Sequence, residues 1–293
     1  MTQKQANILL VFVTMGWGSS YIFTKFSIGE VQPFMLVAFR FIIAFIVMAL
    51  LFFQKIRHVH RQTIQASAIL GTILCGVFAT FGFAMQTTSA STAGFLITTT
   101  VIFVPLIMVV IKRKLPVRKV MLGTLITFTG LTLLSLKDSF TFEIGIIYCL
   151  LTALLYAIHI VANNYFARTV DAFQLGIFQL GFTGILGLIA SLLFEPFSWP
   201  IGAVSWAAIV SLAIICSAFG FVVQSIAQNY TTPENTGFIF SLEPITAAIF
   251  AFLFLGEKMV MQEYIGATII LIGIFVANHT PKKRIEYGMN KTS

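Results

Sequence analysis

The chain has 293 residues, 58% hydrophobic and 10% charged, with a mean hydropathy of +0.96 and a formal net charge of +8. Soluble domains lie near about 45–50% apolar and about 25% charged, so a water-soluble globule is excluded. The apolar runs are roughly 20 residues long, which fits membrane-spanning helices and not the alternating strands of roughly 10 residues that build a barrel.

Ten spans are predicted: 7–27, 33–53, 66–87, 93–111, 120–136, 144–165, 174–194, 204–229, 236–255 and 262–279. Only Lys4 precedes the first, with no small-residue cleavage site, so it reads as a span and not as a removed signal peptide. Span one carries Thr14, Gly18, Tyr21 and Lys25 at steps of three and four, a single helical stripe, with Trp17 beside it. Lys25 lies near the outer end, where a lysine can snorkel. Span two holds Arg40 in mid-run, and a guanidinium at that depth needs a partner or a cavity. Span three offers Cys75, Phe78, Gly82 and Gln86 on one face, and span four has Pro105 in its interior, where proline removes a helix bond.

Span six repeats the polar pattern with Tyr148, Thr152, Tyr156, His159 and Asn163, and span eight with Ser217, Gly220, Gln224 and Gln228. Trp199 and Trp206 flank the loop before span eight as interfacial aromatics. Span nine contains "SLEPITAAIF", a carboxylate (Glu243) directly before a proline (Pro244) inside an apolar run. Spans five and ten carry Gly123 and Gly130, and Gly266 and Gly273, the two pairs equally spaced, as packing scaffold for each other or for a second copy. Cys75, Cys149 and Cys216 show no metal-ligand spacing and read as small core residues; no metal, cofactor or catalytic constellation is expected.

With the N-terminus inside, the inner loops and termini hold fourteen Lys and Arg: Lys4, Lys55, Arg57, Arg61, Lys112, Arg113, Lys114, Arg118, Lys119, Arg168, Lys282, Lys283, Arg284 and Lys291. The outer side holds two, Lys137 and Lys258. The positive-inside bias and the even span count predict a multi-pass cell-membrane protein with both termini cytoplasmic. The same bias accounts for the net charge without a nucleic-acid partner.

The halves are weakly alike. "TAGFLITTT" (92–100) aligns with "NTGFIFSLE" (235–243), and the same offset carries Gly123 onto Gly266 and Gly130 onto Gly273. Five spans per half is odd, so the second half must run inverted. Inverted repeats place a substrate site near the bilayer midplane. The expected organisation is a first repeat at 1–138, a second at 139–281 and a basic cytoplasmic tail at 282–293.

"GWGSSYIFTK" (16–25), "PFMLVAFRF" (33–41), "LEP" (242–244), "FLGEKM" (254–259) and "GATIILIGI" (266–274) resemble the ten-span EamA-type branch of the drug/metabolite transporter superfamily. The resemblance covers nearly the whole chain. It implies an all-α membrane fold of ten helices, two inverted five-helix repeats around a central cavity, and export or exchange of small metabolites such as amino acids without an ATP site. Pro105 departs from the pattern: it lies one helical turn farther past Gly94 than Pro244 lies past Gly237.

The expected substrate cavity collects Trp17, Tyr21, Gln86, Tyr156, His159, Gln224 and Gln228, with Pro105, Glu243 and Pro244 as hinge or coupling residues and Arg40 as a buried charge. Glu243 can bind a substrate ammonium or a coupling proton, or can pair with Arg40 and fix the helix. Arg40 can hold a substrate carboxylate or serve as that structural partner. His159 can relay protons or remain a neutral core histidine. Glu257 and Lys258 read as an outer surface pair. Expected partners are the lipid bilayer, a small-molecule substrate, a proton or other coupling ion, and a second copy in a homodimer. Carriage of lipid-linked or nucleotide-sugar substrates is the alternative within the same fold; a membrane-embedded enzyme lacks the paired carboxylates or "HExxH" it would need.

Overall fold

The computed structural model describes residues 1–113, 118–135, 144–240, 242–256 and 261–278. Among these, the chain is all helical. Seven segments are long and apolar enough to cross a membrane, and shorter apolar helices at Met121–Gly130, Glu243–Leu255 and Tyr264–Gly273 occupy the places of spans five, nine and ten. Lys137, the Glu257–Lys258 pair and the tail at 282–293 lie outside the described residues.

Six spans are single helices: Pro33–Leu51, Arg61–Thr87, Arg118–Ser135, Ile144–Ala167, Ala172–Phe194 and Met261–Asn278. The starts have local causes. Thr2 and Gln5 form a reciprocal capping box, in which the Gln5 N–H donates to Thr2 Oγ1 and the Thr2 N–H donates to Gln5 Oε1. Asp171 accepts from the Gln174 N–H at 2.8 Å. Pro33 and Pro233 stand at the first helical position, where the missing N–H costs nothing. Gly256 ends span nine in the left-handed region at φ 63°.

The other four spans are interrupted. Span one breaks at Ser19 into Gln3–Gly18 and Ser20–Ile28, and span four into Ala90–Ile97 and Thr100–Lys112. Span eight runs Ala203–Ser211, a π-helical turn at Leu212–Phe219, then Gly220–Gln228. Span nine runs Pro233–Phe240, Glu243–Phe250, then a π-helical turn at Ala251–Leu255. Broken helices are tolerated at membrane depth where they are buried in protein or line a cavity.

The repeat is visible in hydrogen bonds. Ser89 caps span four by accepting from the Thr92 N–H at 3.1 Å. Thr232, its counterpart at the repeat offset, caps span nine by accepting from the Asn235 N–H at 3.2 Å. The breaks after Ile97 and Phe240, and the restarts at Thr100 and Glu243, correspond at that offset as well. At the face away from the N-terminus Lys25 Nζ donates to the Met85 and Thr88 carbonyls, both at 2.7 Å. At the face bearing the N-terminus, Asn164 Nδ2 donates to the Gln228 and Thr231 carbonyls at 2.7 and 3.1 Å. Gln228 and Thr231 are the repeat counterparts of Met85 and Thr88.

Spans five and ten pack on each other. A side chain added at Gly130 would meet the Gly266 backbone at 2.8 Å, and one at Gly273 would meet the Gly123 carbonyl at 2.8 Å, so small residues set this approach. At the face away from the N-terminus two carboxylates join the halves. Glu195, after span seven, accepts from the Phe34 and Met35 N–H groups at the start of span two (2.9 and 3.1 Å). Glu30, after span one, accepts from the Ile201 and Gly202 N–H groups ahead of span eight (2.8 and 3.0 Å).

Candidate functional site

The broken spans meet spans two, three and six around a small central cavity. Space for a water-sized sphere there is about 40 Å³. One water needs at least about 10–15 Å³ by that measure, so the cavity holds a few waters. Sites for drug-sized ligands are nearer about 300–1,000 Å³, so a metabolite fits only after the walls part.

The walls are aromatic and carry two opposite charges. Trp17 stands 5.1 Å from Phe221 and 4.9 Å from Phe240, ring centre to centre, and Tyr156 stacks on Phe240 at 6.0 Å. Cys216, within the π-helical turn of span eight, accepts at its carbonyl from Trp17 Nε1 at 2.7 Å. The same turn presents Ser217 Oγ to Arg40 Nε at 3.0 Å. Arg40 is 2% exposed, its guanidinium carbon lies 4.2 Å from the Phe78 ring centre, and its Nη2 has no partner among the described residues. Across the cavity, Glu243 opens the second helix of span nine and accepts from the Tyr21 hydroxyl at 2.9 Å. Arg40 and Glu243 line the same void without forming an ion pair among the described residues. The expected structural pairing of the two is not what the structure places there.

Of the seven residues expected to converge on one void, Trp17, Tyr21 and Tyr156 line it. Gln86 is exposed near the C-terminal end of span three. His159, Gln224 and Gln228 are fully buried and do not line the cavity; Phe221, one turn before Gln224, takes that place on span eight. His159 and Gln228 belong to a separate polar cluster extending toward the N-terminal face. His159 Nε2 lies 2.9 Å from Gln179 Oε1; Gln179 Nε2 donates to Ser225 Oγ at 3.1 Å, and Ser225 Oγ donates to Asn163 Oδ1 at 3.0 Å. Asn163 Nδ2 donates to Gln228 Oε1. Because Gln179 uses its nitrogen on Ser225, the imidazole is the donor of the first bond, so Nε2 carries the proton. His159 Nδ1 and both amide atoms of Gln224 have no partner among the described residues.

Pro244 is buried beside the cavity as the second residue of its helix, where its missing N–H breaks no ladder. Pro105 lies inside the helix Thr100–Lys112, well past the break at Thr98–Thr99, so the break in span four is not at its proline. Threonines hold that break: Thr98 and Thr99 donate back to the Gly94 and Leu96 carbonyls, each at 2.7 Å. Sequence reasoning missed Gln179, and placed Ser217 on the polar face of span eight without giving it a role. Gln179, Thr183, Gly187 and Ser191 recur at steps of four on span seven, a stripe that would have pointed to the first. Nothing in the sequence signals the π-helical turn that aims Ser217.

Ten apolar segments in two matching halves, four of them broken around a central cavity, define a membrane transporter of the inverted-repeat type. The EamA-like transporter family model matches twice, over residues 4–136 and 143–279, and the chain belongs to that family. It is 28% identical over 292 residues to an "Uncharacterized transporter" of Archaeoglobus fulgidus, covering 93% of this chain and 97% of that one. It is also 24% identical over 288 residues to "Uncharacterized transporter YoaV" of Bacillus subtilis, covering 94% and 97%. A crystal structure of another protein superposes with a TM-score of 0.71 at 21% identity, covering 94% of this chain and 96% of that chain, a likeness of fold.

Proposed function

We propose that this transporter exports or exchanges small amphipathic metabolites, amino acids and related compounds among them, across the cell membrane by alternating access between its two repeats. The observation that carries the reading is the unpaired Arg40 and Glu243 in the walls of one aromatic cavity. Two opposite charges kept apart at membrane depth cost desolvation that pairing would relieve. A ligand bearing an ammonium and a carboxylate supplies both partners at once, and the rings supply apolar contact for its side chain.

The cavity is too small for such a ligand in this structure, so loading requires the repeats, taken as 1–138 and 139–281, to part. The breaks between Ile97 and Thr100 and between Phe240 and Glu243 are the joints available for that motion. Glu243, hydrogen-bonded to Tyr21, is the candidate carrier of a coupling proton when no ammonium is present. Counterflow in proteoliposomes loaded with a panel of amino acids, sugars and nucleotide sugars tests the reading. Saturable exchange of zwitterions is expected. Exchange of nucleotide sugars alone would overturn the substrate class, and no exchange of any compound by folded protein would overturn the transport reading of the cavity.

A further inference from the structure

A second and much larger void lies off the central cavity. It is a groove of about 720 Å³ between spans three, four, six and nine, at the face that bears the N-terminus. Along span six it runs from Ile158 to Thr169, roughly 16 Å at about 1.5 Å per residue. Its walls include Ile107, Ile158 and Val161. Ile69, Ile111 and Tyr165, at 50%, 60% and 65% exposure, lie on its open side. An apolar groove at bilayer depth is filled by hydrocarbon, because water there makes few hydrogen bonds.

The mouth is different in chemistry. Arg168 lines it, and one arm of its guanidinium is fixed by donation from Nη2 to the Thr231 carbonyl at 2.7 Å. The fork is thereby held at the end of span six, where Arg168 is exposed. Arg113 and Arg118, both exposed, stand on the same face at the neighbouring ends of spans four and five. A basic rim above an apolar slot of acyl-chain depth matches a phospholipid with an anionic headgroup, one chain in the groove and its phosphate on Arg168.

We infer that this groove is a specific binding site for an anionic phospholipid of the inner leaflet. The lipid sits beside the bonds from Asn164 to the Gln228 and Thr231 carbonyls at the N-terminal face. Asn164 and Pro233 line the groove, and Thr231, which accepts from Arg168, also accepts from Asn164. A phosphate on Arg168 therefore steadies the contact between spans six and nine that must break when the N-terminal face opens.

Native mass spectrometry of the full-length protein, with dioleoyl phosphatidylglycerol or dioleoyl phosphatidylcholine added in detergent, tests the site. Retention of phosphatidylglycerol over phosphatidylcholine is expected in the wild type. Arg168→Gln should lower that preference about fivefold, the attraction of one basic side chain for anionic lipid, and Arg168→Lys should keep most of it. Ile158→Trp, which fills the groove and leaves Arg168 in place, should reduce retention of both lipids. Equal retention of the two lipids by the wild type overturns the site, as does an unchanged preference in Arg168→Gln. Equal competition by soluble glycerol phosphate overturns the acyl-chain part. Should Arg168→Gln fail to fold, the wild-type preference and the Ile158→Trp loss decide the matter on their own.

Discussion

Glu243 and Arg40 share a cavity and satisfy themselves with neutral partners, a tyrosine hydroxyl and a serine hydroxyl. That division of labour predicts separable defects. Glu243→Gln keeps the bond from Tyr21 and the side-chain volume but removes the charge. Exchange of a zwitterion, normalised to folded protein in the membrane, is expected to fall at least about tenfold, since a hydrogen bond to a charged group contributes about 1.5–3 kcal/mol. Arg40→Gln should weaken the same substrate while sparing a carboxylate-free amine. Wild-type rates in both variants would leave the two charges as packing. The types of both residues were legible in the sequence, because a carboxylate and a guanidinium in apolar runs are costly enough to need a reason. Their failure to pair was not legible, because it depends on the turn that brings Ser217 to Arg40.

At the scale of the element, the break in span nine lies between Phe240 and Glu243, and Pro244 sits just inside the new helix. Pro244→Ala returns an N–H that a continuous helix could use. It is expected to slow exchange with unchanged amounts of folded protein, measured by counterflow on matched preparations; an unaltered rate would remove the break from the transport cycle. The sequence marked this joint through its proline and misplaced the matching one in span four, where side-chain hydroxyls and not Pro105 carry the interruption. Helical stripes located the polar faces of spans one, six and eight to the right side of the bundle. Helix rotation then decided which residues reach the void, and one phenylalanine, Phe221, was enough to move Gln224 behind the wall.

Two carboxylates at the face away from the N-terminus tie the halves. The Gly202 and Ile201 N–H groups hold the Glu30 carboxyl below its ordinary value of 4.5. A depressed carboxyl stabilises the folded state fully above its unfolded pKa and loses that contribution as pH falls through the folded value. Acidifying the medium below the usual carboxylate range should therefore lower thermal stability, and Glu30→Gln should be less stable at neutral pH and flatter at low pH. A melting series across pH on both proteins checks this; parallel curves would exclude Glu30 from the acid response.

For the whole molecule, the count of ten segments and the all-helical fold followed from hydropathy alone, and the internal repeat from two glycine spacings. Orientation rests on charge distribution. Cysteines introduced within 56–62 and within 137–142 should react with a membrane-impermeant reagent from inside and from outside intact cells, respectively. The opposite pattern would invert the topology. The remainder was hidden because the repeat is carried mainly by caps and carbonyl contacts, which many residue types can supply and which leave little trace in sequence.

The two halves are alike in fold but unequal in grip. The carbonyls of Met85 and Thr88, at the face away from the N-terminus, share one ammonium, that of Lys25. At the N-terminal face the Gln228 carbonyl takes the Asn164 amide, and the Thr231 carbonyl takes both that amide and the Arg168 guanidinium. Each latch thus contains a charge-assisted bond, but among the described bonds one end hangs on a single side chain and the other on two. Lys25→Met should loosen its end at a stroke, seen as faster labelling of a cavity cysteine from the side away from the N-terminus in the absence of any solute. Arg168→Gln leaves both Asn164 bonds in place and should change labelling from the N-terminal side less; equal effects of the two substitutions would exclude the asymmetry.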